Sequence, residues 1–568
     1  MSFMNYVRRA GAKVLLGLCL LCLPLLASCG PTNSVELSSI DLGIPAAALN
    51  SPVTGPLPDT TQLHLGITLK ISQNVLNHLG TATPAPGQPS HLEKIANSLG
   101  IDDSTYQKFK DFFNLTGLKL SLSKLRTHIS VEGKASLFAK VFSTHFVRHT
   151  YNGRAFFAPA TPPKLPRFLA NTIVAVTGLD NYSVPPQHTR IPLSHATTRA
   201  TKQAAQDCSP RGSTLVPRQI AHAYGFDQLW NRGWHGEGMT VNLVEIDGFY
   251  TNDVQNYLNC INFQGKIEVS DVDNAPTEAA GESTLDLEMI AGLARSVHVV
   301  DYETGATNYG DVWTQVNDEL QQILNDNTNN ANNGSLVSIS LGMDEADMTS
   351  GDVSAIDQSL RELTQAEHMR IFVASGDCGA FADRIYHDLS VSFPASDPWS
   401  TAVGGTVLQL GGGQQRGNEV AWSDGSDTSR CQNQWGTGGG VSQIYSRLDW
   451  QPGASRRQIP DIAAVAYNLA VYFQGQWTSV GGTSAAAPIW AAGMALVNEG
   501  LVQQLRKFTA DPQMFYAVAN NAGGQRPYFD VTQGNNLYYR AGPGWDACTG
   551  LGTPNLASFY QVLYNLLR

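Results

Sequence analysis

Charge is scarce in this chain. Charged residues make up 15% of it, against roughly 25% in an ordinary soluble protein. Lysine all but disappears after position 210, where Lys266 and Lys507 are the last two. So cation-poor a surface argues against nucleic acid as a partner of that half. It is tolerable for a protein that works in acid, where carboxylates lose their charge. The apolar stretch near the N-terminus, Val14 to Leu26, is too short for a membrane span, which needs about 20 residues. There are no internal repeats, and no His/Cys spacing reads as a zinc site. The most telling absence is a histidine in a His-Gly-Thr context at a helix start. His298 lies inside an apolar strand pattern, and His235 precedes Gly236 in a loop leading to one. Without such a histidine, a serine hydroxyl needs another base.

What is present sets the organisation. At 568 residues the chain needs two or three domains, and 42% hydrophobic content suffices for packed cores. Residues 31–200 hold 15 Lys+Arg against 9 Asp+Glu, whereas residues 201–568 hold 19 against 39. A basic front and an acidic back form two domains that attract near neutral pH and part in acid, or else two solvated surfaces. At the N-terminus, Arg8, Arg9 and Lys13 precede the apolar run, and Leu26-Ala27-Ser28-Cys29 follows. This is an export signal; the last four residues resemble a bacterial lipobox, in which Cys29 carries lipid, and an ordinary signal peptide is the alternative. Export permits disulfides among the remaining cysteines. The pairing expected is Cys208–Cys260 and Cys378–Cys431, with Cys548 buried and reduced, although sequence alone leaves connectivity open.

Residues 31–60 are rich in Pro, Ser, Gly and Thr and read as a linker. From Leu63 to Gly178 the pattern is α+β: strands at Leu63–Leu69, Leu118–Leu125, His128–Val131, Ser136–Val141 and Arg154–Phe157, with helices at Ser72–Leu79 and Ser104–Phe113. A polar, irregular stretch then forms an exposed, cleavable connector. From Val216 onward, near-continuous apolar strands alternate with helices, as in a parallel sheet covered on both faces.

Three motifs carry chemistry. Gly481-Gly482-Thr483-Ser484, followed by Ala485-Ala486-Ala487-Pro488 and an apolar helix, seats a serine on a tight loop at a helix mouth. Gly281-Glu282-Ser283-Thr284-Leu285-Asp286 sets two carboxyls at i,i+4 on one helix face, roughly 5–6 Å apart. Such a pair shares a proton, and its ionised member can accept a serine proton in acid, where histidine is already protonated. Ser375-Gly376-Asp377-Cys378-Gly379 places an aspartate after a buried strand, where a protonated carboxyl could donate to an oxyanion. Taken singly these are a helix-capping loop, an acidic face and a turn aspartate. Together and in this order they resemble the sedolisin family of serine-carboxyl peptidases, and within it the kumamolisin-like proenzymes. Val216–Gly225, Gly438-Gly439-Gly440-Val441-Ser442 and Arg457-Gln458-Ile459-Pro460-Asp461 add to the likeness.

The resemblance implies an α/β, subtilisin-like catalytic domain with a mostly parallel sheet, preceded by a smaller α+β prodomain. It divides the chain into a lipoprotein-type signal (1–29), a linker (30–60), an activation prodomain (61–182), a processing connector (183–207) and the catalytic domain (208–568). It makes Ser484 the nucleophile, Glu282 the general base, Asp286 its orienting partner and Asp377 the oxyanion donor. Ser338–Gly342 and Gly438–Val441 become the edges that hold substrate backbone. Where some relatives extend the hydrogen-bond chain with a tryptophan, this chain has Leu341, so Glu245 is expected to stay unconnected. One structural Ca2+ is implied, held by Asp530, Val531, Gly542, Gly544 and Asp546, the middle three through carbonyls. The partners implied are protein or peptide substrates and the chain's own prodomain as inhibitor, with no nucleic acid, membrane contact only through Cys29, and a monomeric state. The location is extracellular or at the cell surface. Tripeptidyl-peptidase action and a catalytically silent, lipid-anchored binding protein are the alternatives.

Overall fold

A computed structural model describes residues 36–81, 91–184, 208, 214–277, 279–305, 312–328, 335–384, 388–425, 431, 434–453, 455–504 and 511–567. The signal and lipid-anchor expectations at 1–29, and nearly all of the connector, lie outside the described residues.

The described front half builds two main antiparallel sheets and a short two-stranded one. The larger has the strand order Lys119–Leu122, His128–Lys134, Gln62–Leu69, Ile173–Thr177, and the smaller joins Val53–Pro56, Phe146–Tyr151 and Arg154–Pro159. Alternation places Leu63, Leu65, Ile67 and Leu69 in a core with Ile129, Val131, Phe138 and Phe142. Two expectations need correction. Residues 36–60 are not a linker: Leu37–Ser39 pairs with Lys164–Pro166, Val53–Pro56 pairs with Phe146–Tyr151, and Leu42, Ile44 and Ala48 are buried. Those few apolar side chains suffice to fold a Pro-rich segment onto the domain. Ser136–Val141 is part of a helix, Ala135–Val141. Ala135, Phe138 and Phe142 share the core, and their spacing of three and then four residues is helical, since a strand would turn Ala135 and Phe138 to opposite faces.

The back half is an eight-stranded sheet. Its order is Lys266–Asp271, His298–Glu303, Thr240–Glu245, Leu336–Ile339, Arg370–Ala374, Ser400–Leu410 and Arg416–Ala421, with Ile462–Val465 also pairing with Ser400–Leu410. Every pairing is parallel except that between Ser400–Leu410 and Arg416–Ala421. Helices Glu282–Leu293 and Ala486–Gln503 pack on one face, and Val312–Asn327 and Ser350–Gln365 on the other. Glu282–Leu293 is buried nearly all round, which is why its sequence carries almost no amphipathic pattern. Both expected disulfides, Cys208–Cys260 and Cys378–Cys431, are formed, and Cys548 is buried and reduced.

The front domain lies on the second helical face. Strand Gln62–Leu69 contacts helix Val312–Asn327, while Ile173–Thr177 and helix Gln73–Thr81 contact Ser350–Gln365. Thr127 Oγ1 donates to Glu362 Oε2 at 2.9 Å, Gln358 donates to the Leu69 carbonyl at 2.9 Å, and Arg154 pairs with Asp347 at 3.1 Å. Asp318 lies between two histidines of the front domain, His128 and His64. Burial opposes its charge, but the two imidazoles overcome this and hold the carboxyl well below its usual range.

Candidate active site

The carboxyl ends of the parallel strands point to one crevice, where open α/β sheets place their ligand sites. Strand Thr240–Glu245 delivers Glu245 and, two residues on, Asp247. The Asp247 carboxylate accepts from the amides of Gly281 (2.8 Å), Glu282 (3.1 Å) and Ser283 (3.2 Å). It thus caps helix Glu282–Leu293 and favours its positive end. Gly281 enters the helix at φ 98°, a left-handed conformation that favours glycine. The capped first turn holds Glu282, half-buried, and the next turn holds Asp286, fully buried.

Asp286 is tied on both sides. Ser340 Oγ donates to Asp286 Oδ2 at 2.5 Å and lies 3.0 Å from the Ser484 carbonyl oxygen. On its far side the Asp286 carboxyl lies close to that of Glu245, whose contact favours the charged form of Asp286. Burial, and then the charge of Glu282, push the Asp286 carboxyl well above its usual range, although its bonds to Ser340 and Glu245 oppose the shift. Burial and the neighbouring charge of Asp286 do the same to Glu245. The expectation that Glu245 stays unconnected is corrected here. The parallel register sets Glu245 beside Glu303 at the strand end, and from there its carboxyl reaches Asp286 without any tryptophan as a bridge.

Ser484 sits in the single turn Thr483–Ala485 that opens helix Ala486–Gln503. This turn packs against helix Glu282–Leu293, so the two motifs meet. Ser484 is 8% exposed, and its hydroxyl donates to the Ser340 carbonyl at 3.3 Å. Asp377 meets the same turn from the third motif. Its Oδ1 accepts from the Thr483 amide (2.7 Å) and the Thr483 hydroxyl (2.8 Å), and that hydroxyl in turn accepts from the Gly376 amide (3.1 Å). With Oδ1 so occupied, Oδ2 is directed past Gly482, where an added Cβ would lie 2.9 Å from it. Gly482 has φ 150°, so both its backbone and the close carboxyl call for glycine.

The expected substrate edges are met in part. Leu336–Ile339 is paired on both sides within the sheet, so Ser338 offers no free edge, and only residues 340–342 leave it. Gly438 donates its amide to the Gly376 carbonyl at 2.7 Å, beside the Asp377 loop. Gly440 and Val441 pair with Ile459 and Gln458.

The expected cation cage is assembled to the extent of its two acidic loops. The Gly544 amide donates to Asp530 Oδ2 at 2.9 Å, and the Gly542 amide to Asp546 Oδ2 at 3.0 Å. No atom lies near a Cβ built on Gly542 or Gly544. Two carboxylates beside open glycine backbone are an oxygen donor set that fits Ca2+.

Asp247 escaped the sequence reading, and so did the hydrogen-bonding roles of Ser340 and Thr483, which it had only as members of the Ser338–Gly342 edge and the serine motif. Asp247, following the apolar Val244 with Glu245 in a strand-end acidic pair, was the one detectable signal; the other two owe their position to tertiary contacts.

Residues 50–182 match the family model of the pro-kumamolisin activation domain, and residues 272–540 match the subtilase family. The chain is 28% identical over 522 residues to kumamolisin of Bacillus sp. strain MN-32, covering 85% of this chain and 87% of that one. It is 27% identical to tripeptidyl-peptidase 1 of Dictyostelium discoideum over 51% of this chain and 49% of that one. Among solved structures it is similar to Pseudomonas sedolisin, a serine-carboxyl proteinase complexed with two molecules of pseudo-iodotyrostatin. The TM-score is 0.54 at 27% identity, over 63% of this chain and 99% of that one.

Proposed function

From the premise that the chain belongs to the sedolisin family of serine-carboxyl peptidases and carries a pro-kumamolisin activation domain, we propose that it is an exported, acid-active endopeptidase that processes itself. Ser484 Oγ attacks the scissile carbonyl and Glu282 takes its proton. Asp286, held by Ser340 and Glu245, orients Glu282 and shares a proton with its neighbours. Asp377, protonated and pinned through Oδ1, donates to the oxyanion. Glu282 then returns its proton to the leaving amine, and water cleaves the acyl-enzyme by the same route.

The observation that carries this reading is the double tie at Ser340. One hydroxyl touches both the buried Asp286 carboxyl and the backbone of Ser484. Ser484 and Asp286 are thus linked through Ser340, with no histidine in that link. Acid would trigger cleavage in the 183–207 connector, releasing residues 61–182, with the added 36–60 segment, from the catalytic domain 208–568. We further propose one structural Ca2+ on Asp530, Asp546 and the carbonyls of Val531, Gly542 and Gly544.

The test is the Ser484→Ala proenzyme, purified and shifted to about pH 4, where carboxyls titrate. It is expected to remain full length while the wild type shortens. Self-cleavage by the mutant at the wild-type rate would rule Ser484 out. Product lengths from a peptide-library digest decide between internal cleavage and tripeptide removal, the activity named in the Dictyostelium relative.

A further inference from the structure

One cluster, where strand Gln62–Leu69 meets helix Val312–Asn327, joins the two domains. His64, on strand Gln62–Leu69, faces Asp318 of helix Val312–Asn327, with Nε2 2.6 Å from Asp318 Oδ2, and its Nδ1 lies 3.7 Å from Asp273 Oδ1. One ligand atom from each of these three residues falls within 4.8 Å of the other two. Asp318 is divided between two tasks. Its Oδ1 accepts from His128 Nε2 (2.7 Å) and Ser130 Oγ (3.2 Å). Its Oδ2 and the facing His64 Nε2 are buried, and their close approach lacks hydrogen-bond alignment. The side chains are well covered, with exposures of 11% for His64, 13% for Asp273 and 5% for Asp318. A cavity of about 280 Å3, lined by His64, His128, Asp273 and Asp318 among others, opens beside them.

We propose that His64, Asp273 and Asp318 bind one divalent transition-metal ion of the Zn2+ class, which clamps the activation domain to the catalytic domain. With His64 neutral, as a metal ligand must be, one dication balances the two carboxylates around it. An imidazole nitrogen among carboxylate oxygens suits Zn2+, Co2+ or Ni2+ rather than Ca2+ or Mg2+. Tetrahedral ligands about 2.0 Å from the ion lie roughly 3.3 Å apart. The His64–Asp318 contact must therefore open slightly and Asp273 must swing in, both within side-chain rotation. The cavity has room for a water as fourth ligand. His128 acts from behind, fixing Asp318 Oδ1 so that Oδ2 faces the ion, as outer partners of metal ligands do. Since the ligands come from both domains, the ion is held only while the two are docked, and its binding strengthens that docking by mass action.

The experiment uses the full-length proenzyme at about pH 7, stripped of metal and then supplied with excess Ca2+ to fill any oxygen-only site. Co2+ and, separately, Zn2+ are titrated while the visible Co2+ absorption, the heat of binding and the thermal midpoint are followed. The expected result is one equivalent bound, an intense low-coordinate Co2+ band, and a midpoint raised by Zn2+. His64→Gln and Asp318→Asn, checked for folding by circular dichroism, should weaken binding at least tenfold and abolish the shift in midpoint. Asp546→Ala should leave the Co2+ band unchanged. Absence of stoichiometric binding to the wild type overturns the proposal without recourse to any variant, and so does wild-type affinity in folded His64→Gln. Because the readouts are spectroscopic and thermal, they stand apart from whether Ser484 is the nucleophile.

Discussion

Ser340 is the residue on which the site's geometry turns. A hydroxyl has one proton, and the shorter contact, 2.5 Å to Asp286 against 3.0 Å to the Ser484 carbonyl, assigns it to the carboxyl. Removing it leaves a fully buried carboxyl with one bond fewer, a loss of about 2 kcal/mol. If that loss falls on the transition state, it is roughly a thirtyfold drop in rate. Ser340→Ala is therefore expected to fold and to lose roughly that factor in kcat with little change in KM, measured on a quenched peptide after activation. A wild-type kcat would show that Asp286 needs no such support. At this scale the four positions proposed as catalytic stood out as candidates because each sits in a short motif whose residue types have few other uses together. Ser340 and Thr483 were not, because a serine or threonine hydroxyl is chemically unremarkable until the fold chooses its partner.

Among the elements, the loops of residues 530–531 and 542–546 illustrate how much a bound ion can contribute. One amide-to-carboxylate bond joins them, Gly544 to Asp530, a second, Gly542 to Asp546, closes the longer loop on itself, and the Asp546 carboxylate also accepts from the amides of Cys548 (2.8 Å) and Thr549 (2.9 Å). An ion bound only by the folded state at a hundred times its Kd adds about 2.7 kcal/mol. Chelation is expected to lower the thermal midpoint of the wild type, whereas Asp546→Ala should start lower and ignore the chelator. Equal responses from the two proteins would remove the cage from the account. Four inner strands, at Thr240–Glu245, His298–Glu303, Leu336–Ile339 and Arg370–Ala374, were legible as apolar runs, and so was the buried helix Glu282–Leu293, because its motif marked its start. Residues 36–60 misled because Pro, Ser, Gly and Thr are frequent there, while three buried side chains, Leu42, Ile44 and Ala48, decide their structure. The His64–Asp273–Asp318 cluster was beyond the sequence altogether, since no local spacing relates ligands that distant.

For the whole molecule, the buried carboxyls tie stability to pH. Burial pushes Asp301 up to about 7, Glu303 up to about 9 and Glu362 up to about 7, above the roughly 4 of an unfolded chain. Between these values the folded protein retains protons that the unfolded chain has released. The contribution of these groups is thus fully present below about pH 4 and is lost as pH rises through 7 to 9. The thermal midpoint of the Ser484→Ala proenzyme is expected to fall steadily from pH 5 to pH 9, and a rise across that range would contradict the protonated burial of these groups. The same logic governs catalysis, and the pH–rate profile of the activated enzyme tests the central claim most directly. A Ser–His hydrolase loses activity below about pH 6–7. A Glu282–Asp286 pair sharing a proton, with Asp377 protonated, should work best in acid and fail as Asp377 ionises. Asp377→Asn should keep partial activity with its alkaline limb flattened, and Glu282→Gln should be nearly inactive throughout. An acid optimum with those two mutant profiles is the predicted result; a neutral or alkaline optimum, or substantial turnover by Glu282→Gln, would contradict the account.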